Sequence, residues 1–362
     1  MKIMYLLFSF TVGGTERLIT NVCNEMVRRE NDVYLYIVND LYTQELLDSL
    51  DPRVHLELQK RAVGGGDKLK TLQKIAAYIR KNQIDVVHCN SLESPELLLL
   101  SKKLRPKTKV FYTIHGMGQY ATLGQQKVDY RNRICDGIFA ISDSVRDDIL
   151  ASGADEKKVT VVYDAINLEQ FDGYERKPFD ENRIVLGNVA RINLAQKGQD
   201  ILLKAFAALS KKYPMECYFA GSDASKDQRD LHTLKALAQE LGVADQVHFV
   251  GTIHNVPEFL SKLDIFVLPS RTEGFGVSLS EAMAMDLTCV ASRLDGPAEL
   301  LGDNERGILF EPENVDALCE ALEQAIHNCR NNITLNASAY VRSKFDIRTM
   351  CEVQLKLYRG EN

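Results

Sequence analysis

The chain has 362 residues, of which 45% are hydrophobic and 26% charged, and its formal net charge is -6. That length suits two α/β domains of about 150–200 residues each, and the acidic balance gives no nucleic-acid signature. Eight cysteines without a Cys-x-x-Cys or a Cys/His cluster speak against a zinc site or a disulfide framework and fit a reducing cytoplasm.

The first predicted strand is Ile3–Phe8, entered directly from Met1-Lys2, so no signal peptide is expected. Gly13-Gly14-Thr15 then opens a helix with Leu18, Val22 and Met26 on one face. Strand, glycine turn and helix together let backbone approach a phosphate, although a glycine pair alone more often marks a plain turn. Further strands are predicted at Val33–Val38, Val86–Cys89 and Lys109–His115, with helices between. Such βα alternation implies an open parallel sheet covered on both faces. His115, at a strand's carboxyl end and followed by Gly116, stands where ligands bind in such sheets.

Gly116-Met117-Gly118-Gln119-Tyr120-Ala121 matches a loose dinucleotide fingerprint. It follows a late strand, however, and Thr122–Arg133 lacks a clean apolar stripe. No acidic residue ends the next strand, Ile138–Ile141, so a dehydrogenase site is rejected. Basic residues gather at Lys68, Lys70, Lys74, Arg80 and Lys81, on a helix with an apolar stripe of Leu72, Ile75, Ala76 and Ile79. More follow at Lys102, Lys103, Arg105, Lys107 and Lys109. The simpler reading is a solvated helix face; the alternative partner is an anionic membrane surface. Val159–Tyr163 closes the first sheet, and the polar stretch from Asp164 to Pro178 reads as an interdomain hinge.

The second half opens on strand Ile184–Ala190, followed by Arg191 and then Lys197-Gly198. Two cations at a strand end fit a diphosphate, Arg as a fork and Lys as a point charge. Gly221 follows strand Tyr218–Ala220, and Gly251-Thr252-Ile253-His254 follows Val247–Val250. The apolar run Ile265–Leu268 ends in Pro269-Ser270, and Glu273-Gly274-Phe275-Gly276 then leads into a helix through Val277, Ser278 and Glu281. The helix start suits an anion, and its two carboxylates suit a ligand that also offers hydroxyls. Either glutamate alone reads as an ordinary solvated residue; the combination with Gly-Phe-Gly is more specific. Leu287–Ala291 is a further strand, entered through Asp286. A single helix is predicted from about Val341 to Arg359.

The segment EGFGVSLSE resembles the Glu-x7-Glu signature of the family-4 retaining glycosyltransferases (glycosyl transferases group 1), and the likeness runs through EAMAMDLTCVASRLDGPAEL. What the resemblance implies is a GT-B fold: two Rossmann-like domains facing across a cleft, with a C-terminal helix crossing back to the first. The expected domains are residues 1–167 with 342–362 added, on the acceptor side, and 178–341, which binds the nucleotide sugar. The family pattern gives Glu273 the sugar hydroxyls, Glu281 the ribose hydroxyls, and His115 a hydrogen bond to the transferred sugar. Arg191, Lys197, the backbone of Gly274–Ser278 and the Gly13-Gly14 turn are implied for the diphosphate. Gly221 and the loop at Ile253 are implied for the nucleotide. Arg191 and Lys197 stand six apart, where the family spacing is five, and Asp164-Ala165 replaces a usual Asn-Gly. The resemblance also implies a glycine at Asp286, which is therefore expected to tolerate whatever backbone angle that glycine takes, the left-handed one included.

The implied reaction is retaining transfer from a nucleotide-diphosphate sugar, UDP favoured over GDP, to a glycan or lipid-linked acceptor in cell-surface polysaccharide synthesis. Neither a cofactor nor a metal is expected, since no Asp-x-Asp occurs anywhere in the chain. The expected place is the cytoplasm, with contact at the inner membrane face left open. Competing readings are a nucleotide-sugar epimerase or phosphorylase on the same fold, or a non-catalytic partner subunit.

Overall fold

Thirteen strands and the helices between them build two parallel sheets in the computed structural model, which describes every residue except 224, 226, 332, 334 and 362. The chain divides into two compact units: Met1–Ile166 with Ile347–Asn362, and Asn167–Asp346. In the first, β1 (Lys2–Leu7), β2 (Asp32–Asn39), β3 (His55–Arg61), β4 (Val86–Cys89), β5 (Lys109–Ile114), β6 (Gly137–Ala140) and β7 (Val159–Val161) run in the order β3-β2-β1-β4-β5-β6-β7. In the second, the strands are β8 (Ile184–Val189), β9 (Met215–Ala220), β10 (Val247–Gly251), β11 (Ile265–Leu268), β12 (Thr288–Ser292) and β13 (Ile308–Phe310). Their order is β10-β9-β8-β11-β12-β13.

Covered on both faces, the central strands need apolar residues at successive positions, which is why they read as unbroken runs. β4, β6 and β11 are buried throughout. Each sheet reverses its winding once, between β1 and β4 and between β8 and β11. In open α/β sheets ligands gather outside the carboxyl ends of strands at such a point.

Three features depart from the sequence reading. β3 was not expected: as an edge strand it keeps the polar run HLELQKR half exposed. A helix spans Gln125–Ile134 although no clean stripe marks it, because Arg131 fills a core position between Val128 and Ile134. The tail is two helices, Ala337–Lys344 and Ile347–Arg359, broken at the buried Phe345-Asp346. The return to the first unit therefore starts at Ile347, and the polar stretch after Asp164 holds a short turn of helix with Leu168 and Phe171 buried.

The last helix is tied into the first sheet by a buried polar chain. Thr113 Oγ1 lies 2.6 Å from His88 Nε2, the other ring nitrogen meets the Tyr358 hydroxyl, and that hydroxyl donates to Gln354 Oε1 at 3.2 Å. One arrangement of protons satisfies every member: Thr113 donates to Nε2, and Nδ1–H donates to Tyr358. Burial holds His88 at a pKa of about 3, so its ring is neutral. Replacing Tyr358 with Phe strands the His88 N–H. Tyr358→Phe should destabilise the first unit by about 1–3 kcal/mol, read as a lower urea midpoint. An unchanged midpoint would show that the last helix is held by apolar contact alone.

Candidate functional site

Two strands at the winding reversal of the second sheet, β8 and β11, deliver the charged residues singled out in the sequence. After β8 the backbone is fastened before Arg191 is reached. Ala190 N donates to Ala220 O at 3.0 Å, and buried Gln199 donates to Arg191 O at 2.9 Å. Gly221, at φ 143°, lies so close that an added Cβ would stand 1.9 Å from Ala190 O. The Arg191 side chain itself is exposed and makes no hydrogen bond or ion pair with the described residues.

Lys197 ends a one-turn helix that Asn193 caps, and Gly198 follows at φ 62°. A Cβ on Gly198 would meet Pro269 O at 2.0 Å, so only glycine lets the loop after β8 lie against the loop after β11. The contact is reinforced by Arg271, which neither motif nor spacing had marked. Its backbone N–H donates to Gln196 O at 2.8 Å, and its guanidinium grips Asp200 at 2.8 and 3.0 Å, Glu313 at 2.9 Å and the Leu194 carbonyl. Burial alone would raise the Asp200 pKa, but Arg271 outweighs it and holds the carboxylate below its ordinary value.

This latch brings Lys197 and Glu273 together. Lys197 Nζ lies 2.8 Å from Glu273 Oε2, and Ser270 Oγ donates to the same oxygen at 3.2 Å. Glu273 Oε1 makes no hydrogen bond with the described residues. Lys197 and Glu273, singled out in two different motifs of the sequence, thus form one ion pair. Beyond Glu273, Phe275 is buried edge-on against Phe345, and Gly276, at φ 103°, begins the helix Val277–Ala284. Gly276 has no side chain to cap that helix, and Ser278 and half-buried Glu281 lie one turn apart on one face of it. Gly296 packs so tightly on this loop that a Cβ would stand 2.6 Å from Gly274 O. Gly221 N donates to Gly251 O at 2.7 Å, which sets the loop carrying Ile253 beside the one after β9.

The remaining candidates stand in the first unit. Gly13 precedes the helix Gly14–Arg28, and its extended φ of -167° suits any residue; what crowds it is the Glu16 carboxylate, 2.5 Å from a would-be Cβ. His115 follows β5 beside two residues that the sequence did not mark as its neighbours. Asn90 donates to His88 O at 3.1 Å, so its Oδ1 faces His115 Nε2 at 3.2 Å and that nitrogen carries the proton. Asp164 Oδ1 lies 3.9 Å from His115 Nδ1. Burial lowers the His115 pKa to about 4.

The chain matches two family models, "Glycosyl transferases group 1" over residues 173–340 and "Glycosyltransferase Family 4" over 12–170. It is 27% identical over 283 residues to the "Putative glycosyltransferase EpsD" of Bacillus subtilis (strain 168), covering 72% of each chain. It is 22% identical over 378 residues to the "O-antigen biosynthesis glycosyltransferase WclY" of Escherichia coli, covering 99% of this chain and 98% of that one. The crystal structure of Anabaena Alr3699/HepE in complex with UDP and glucose superimposes with a TM-score of 0.84 at 20% identity, covering 98% of both chains.

His115 and the buried His88 give a pH signature with a defined sign. Unfolded histidine titrates near 6.5, whereas His115 and His88 hold folded pKa values of about 4 and about 3. Above pH 6.5 neither state binds the proton and nothing is lost. Below it only the unfolded chain does, so stability falls as pH falls. Between pH 7 and 5 each histidine should remove about 2 kcal/mol. His115→Gln should therefore flatten roughly half of that loss in urea unfolding, and an equal slope in the variant would show His115 to be solvated.

Proposed function

We propose, since this chain belongs to the group 1 glycosyl transferases of glycosyltransferase family 4 and shares the GT-B fold, that it is a retaining, metal-independent enzyme. In this reading it moves a sugar from a UDP-sugar to a glycan or lipid-linked acceptor in polysaccharide synthesis. The observation that carries the reading is the charge arrangement at the β8/β11 reversal. There the Lys197–Glu273 pair leaves one carboxylate oxygen open, beside a loop whose Arg191 is unpaired. The choice of UDP is supported by the ligand named for the Anabaena protein, and polysaccharide synthesis by the O-antigen role named for the Escherichia coli relative.

Arg191 and Lys197 hold the diphosphate, and the helix start after Gly276 adds backbone N–H groups and a positive dipole end. Glu273 Oε1 accepts from the sugar's hydroxyls and Glu281 from the ribose. The bond from the sugar's anomeric carbon to the β-phosphate breaks, and the acceptor oxygen bonds to that carbon on the same face. The acceptor's proton passes to the departing phosphate, so no protein base is required. Negative charge grows on the phosphate as the bond breaks, and cations already in place stabilise it without reorganising. In the first unit, the neutral His115 accepts a sugar hydroxyl through Nδ1.

Kinetics separate these roles. Arg191→Ala and Glu273→Gln should lower kcat, the first by about 100-fold or roughly 3 kcal/mol, while Glu281→Ala should mainly raise the donor KM. Turnover should persist in excess EDTA. A folded Arg191→Ala protein with ordinary kcat, or activity lost to EDTA and restored by magnesium, would overturn the assignment.

The lipid-linked form of the acceptor is supported by exposed Leu69, Leu99 and Leu104 among the lysines of helices Lys68–Asn82 and Leu99–Leu104. Among the described residues no helix is long and apolar enough to cross a membrane. The protein should cosediment with anionic vesicles at low salt and release as salt rises. Indifference to lipid charge would return the lysines to a solvated face.

A further inference from the structure

The first unit contains a small cavity, of about 100 Å³, that no motif marked. Its wall draws on the carboxyl ends of four strands. Phe8 follows β1, Arg61 ends β3, Glu93 and Glu96 follow β4, and Lys127 lies beyond β5. Lys68, at the start of helix Lys68–Asn82, completes the rim. It is therefore a pocket at the ligand-binding edge of this sheet.

Its charges do not cancel. Glu96 is taken up by Arg131, a fully buried residue whose guanidinium lies 2.9 Å from Oε1 and stacks over Tyr112. Glu93 is paired with Lys127 at 2.6 Å, and that hydrogen bond holds its pKa below the ordinary value. Arg61 and Lys68 are left. Arg61 spends one nitrogen on the Gly65 carbonyl, and its Nε is buried with no partner among the described residues. Lys68 makes no hydrogen bond or ion pair with the described residues. It also stands, with Lys70, in the first turn of a helix whose N-cap, Asp67, makes no side-chain capping bond, and there the dipole disfavours cations. A buried donor without an acceptor, a cation against a helix dipole and two neutralised carboxylates share one remedy, an anion between Arg61 and Lys68.

We infer that this cavity is a subsite for an anionic group, phosphate or carboxylate, borne by the acceptor. Glu93 Oε2, outside the Lys127 pair, and the Thr71 hydroxyl serve sugar hydroxyls next to it. The inference rests on reading the first unit as the acceptor's. It deepens that reading by selecting acidic sugars or sugar phosphates over neutral glycans. The cavity's size suits one charged group as an anchor, with the rest of the acceptor outside.

Calorimetric titration of the full chain with inorganic phosphate, glucuronate and glucose tests it. At least one of the two anions should bind and glucose should not, and the anion that binds tells which source the subsite takes. Lys68→Gln, at an exposed position that packs no core, should weaken anion binding about tenfold, and Arg61→Gln likewise. Lys74→Gln, on the solvated face of the same helix, should leave it unchanged. Absence of binding by either anion, equal affinity in Lys68→Gln, or an equal loss in Lys74→Gln would each overturn the proposal. UDP titration of the same proteins separates the two readings. Wild type that ignores UDP but loses phosphate on Lys68→Gln would defeat the donor assignment and leave this subsite standing.

Discussion

The contact between the loop after β8 and the loop after β11 is the constraint on which the second unit's charge arrangement depends. These loops leave the two strands at the point where the sheet reverses, so nothing in the sheet's own hydrogen bonding joins them. They are joined instead by the missing side chain of Gly198, against Pro269 O, and by Arg271, which spans both loops and reaches Asp200 and Glu313. The energetic logic is that of a partly buried, multiply bonded guanidinium: removing either partner leaves a charge that water reaches poorly. The latch fixes backbone, and the backbone fixes where Lys197 and Glu273 project.

From that constraint follows a division of labour between two cations that composition treats as equal. Lys197 is committed to Glu273, and each neutralises the other at 2.8 Å. Arg191 is held through its backbone, and its charge has no ion pair among the described residues. An ion pair of this kind is a positioning device: it aims a carboxylate oxygen while the lysine keeps a field over the same few ångströms. A guanidinium, always charged and forked, suits the task of meeting an arriving oxyanion better than an ammonium shared with a glutamate.

Much of the fold could be read from the chain because buried parallel strands must be apolar without interruption. β4 and β11 fall at the expected residues for that reason. The left-handed backbone expected at Asp286 is present at φ 55°. Legibility fails where a polar residue takes a core role. Arg131 breaks the stripe of its helix, β3 is an edge strand that hides behind polar alternation, and buried Asp346 interrupts the tail without a glycine or proline. The candidate site was legible as a set of residue types, since Glu273, Arg191 and Lys197 sit in short motifs. Their pairing was not, because Arg271 and Asp200 lie 71 positions apart in the chain and meet only through the sheet.

The same reasoning explains why the first unit's charges escaped the sequence. Arg61 and Lys68 flank a glycine-rich loop in a region of scattered lysines, and composition alone makes such lysines a solvated face. Only the sheet order places β3 within reach of the segments after β4 and β5, across β2 and β1. Once there, the environment of Arg61 differs in kind from that of Lys74 or Lys81 on the helix that follows. Those side chains point to water, which satisfies an ammonium fully, whereas the Arg61 Nε is shut away from it. A buried donor costs its desolvation whether or not a ligand is present. That cost falls on one nitrogen at the ligand-binding edge of the sheet, where an acceptor group can offset it.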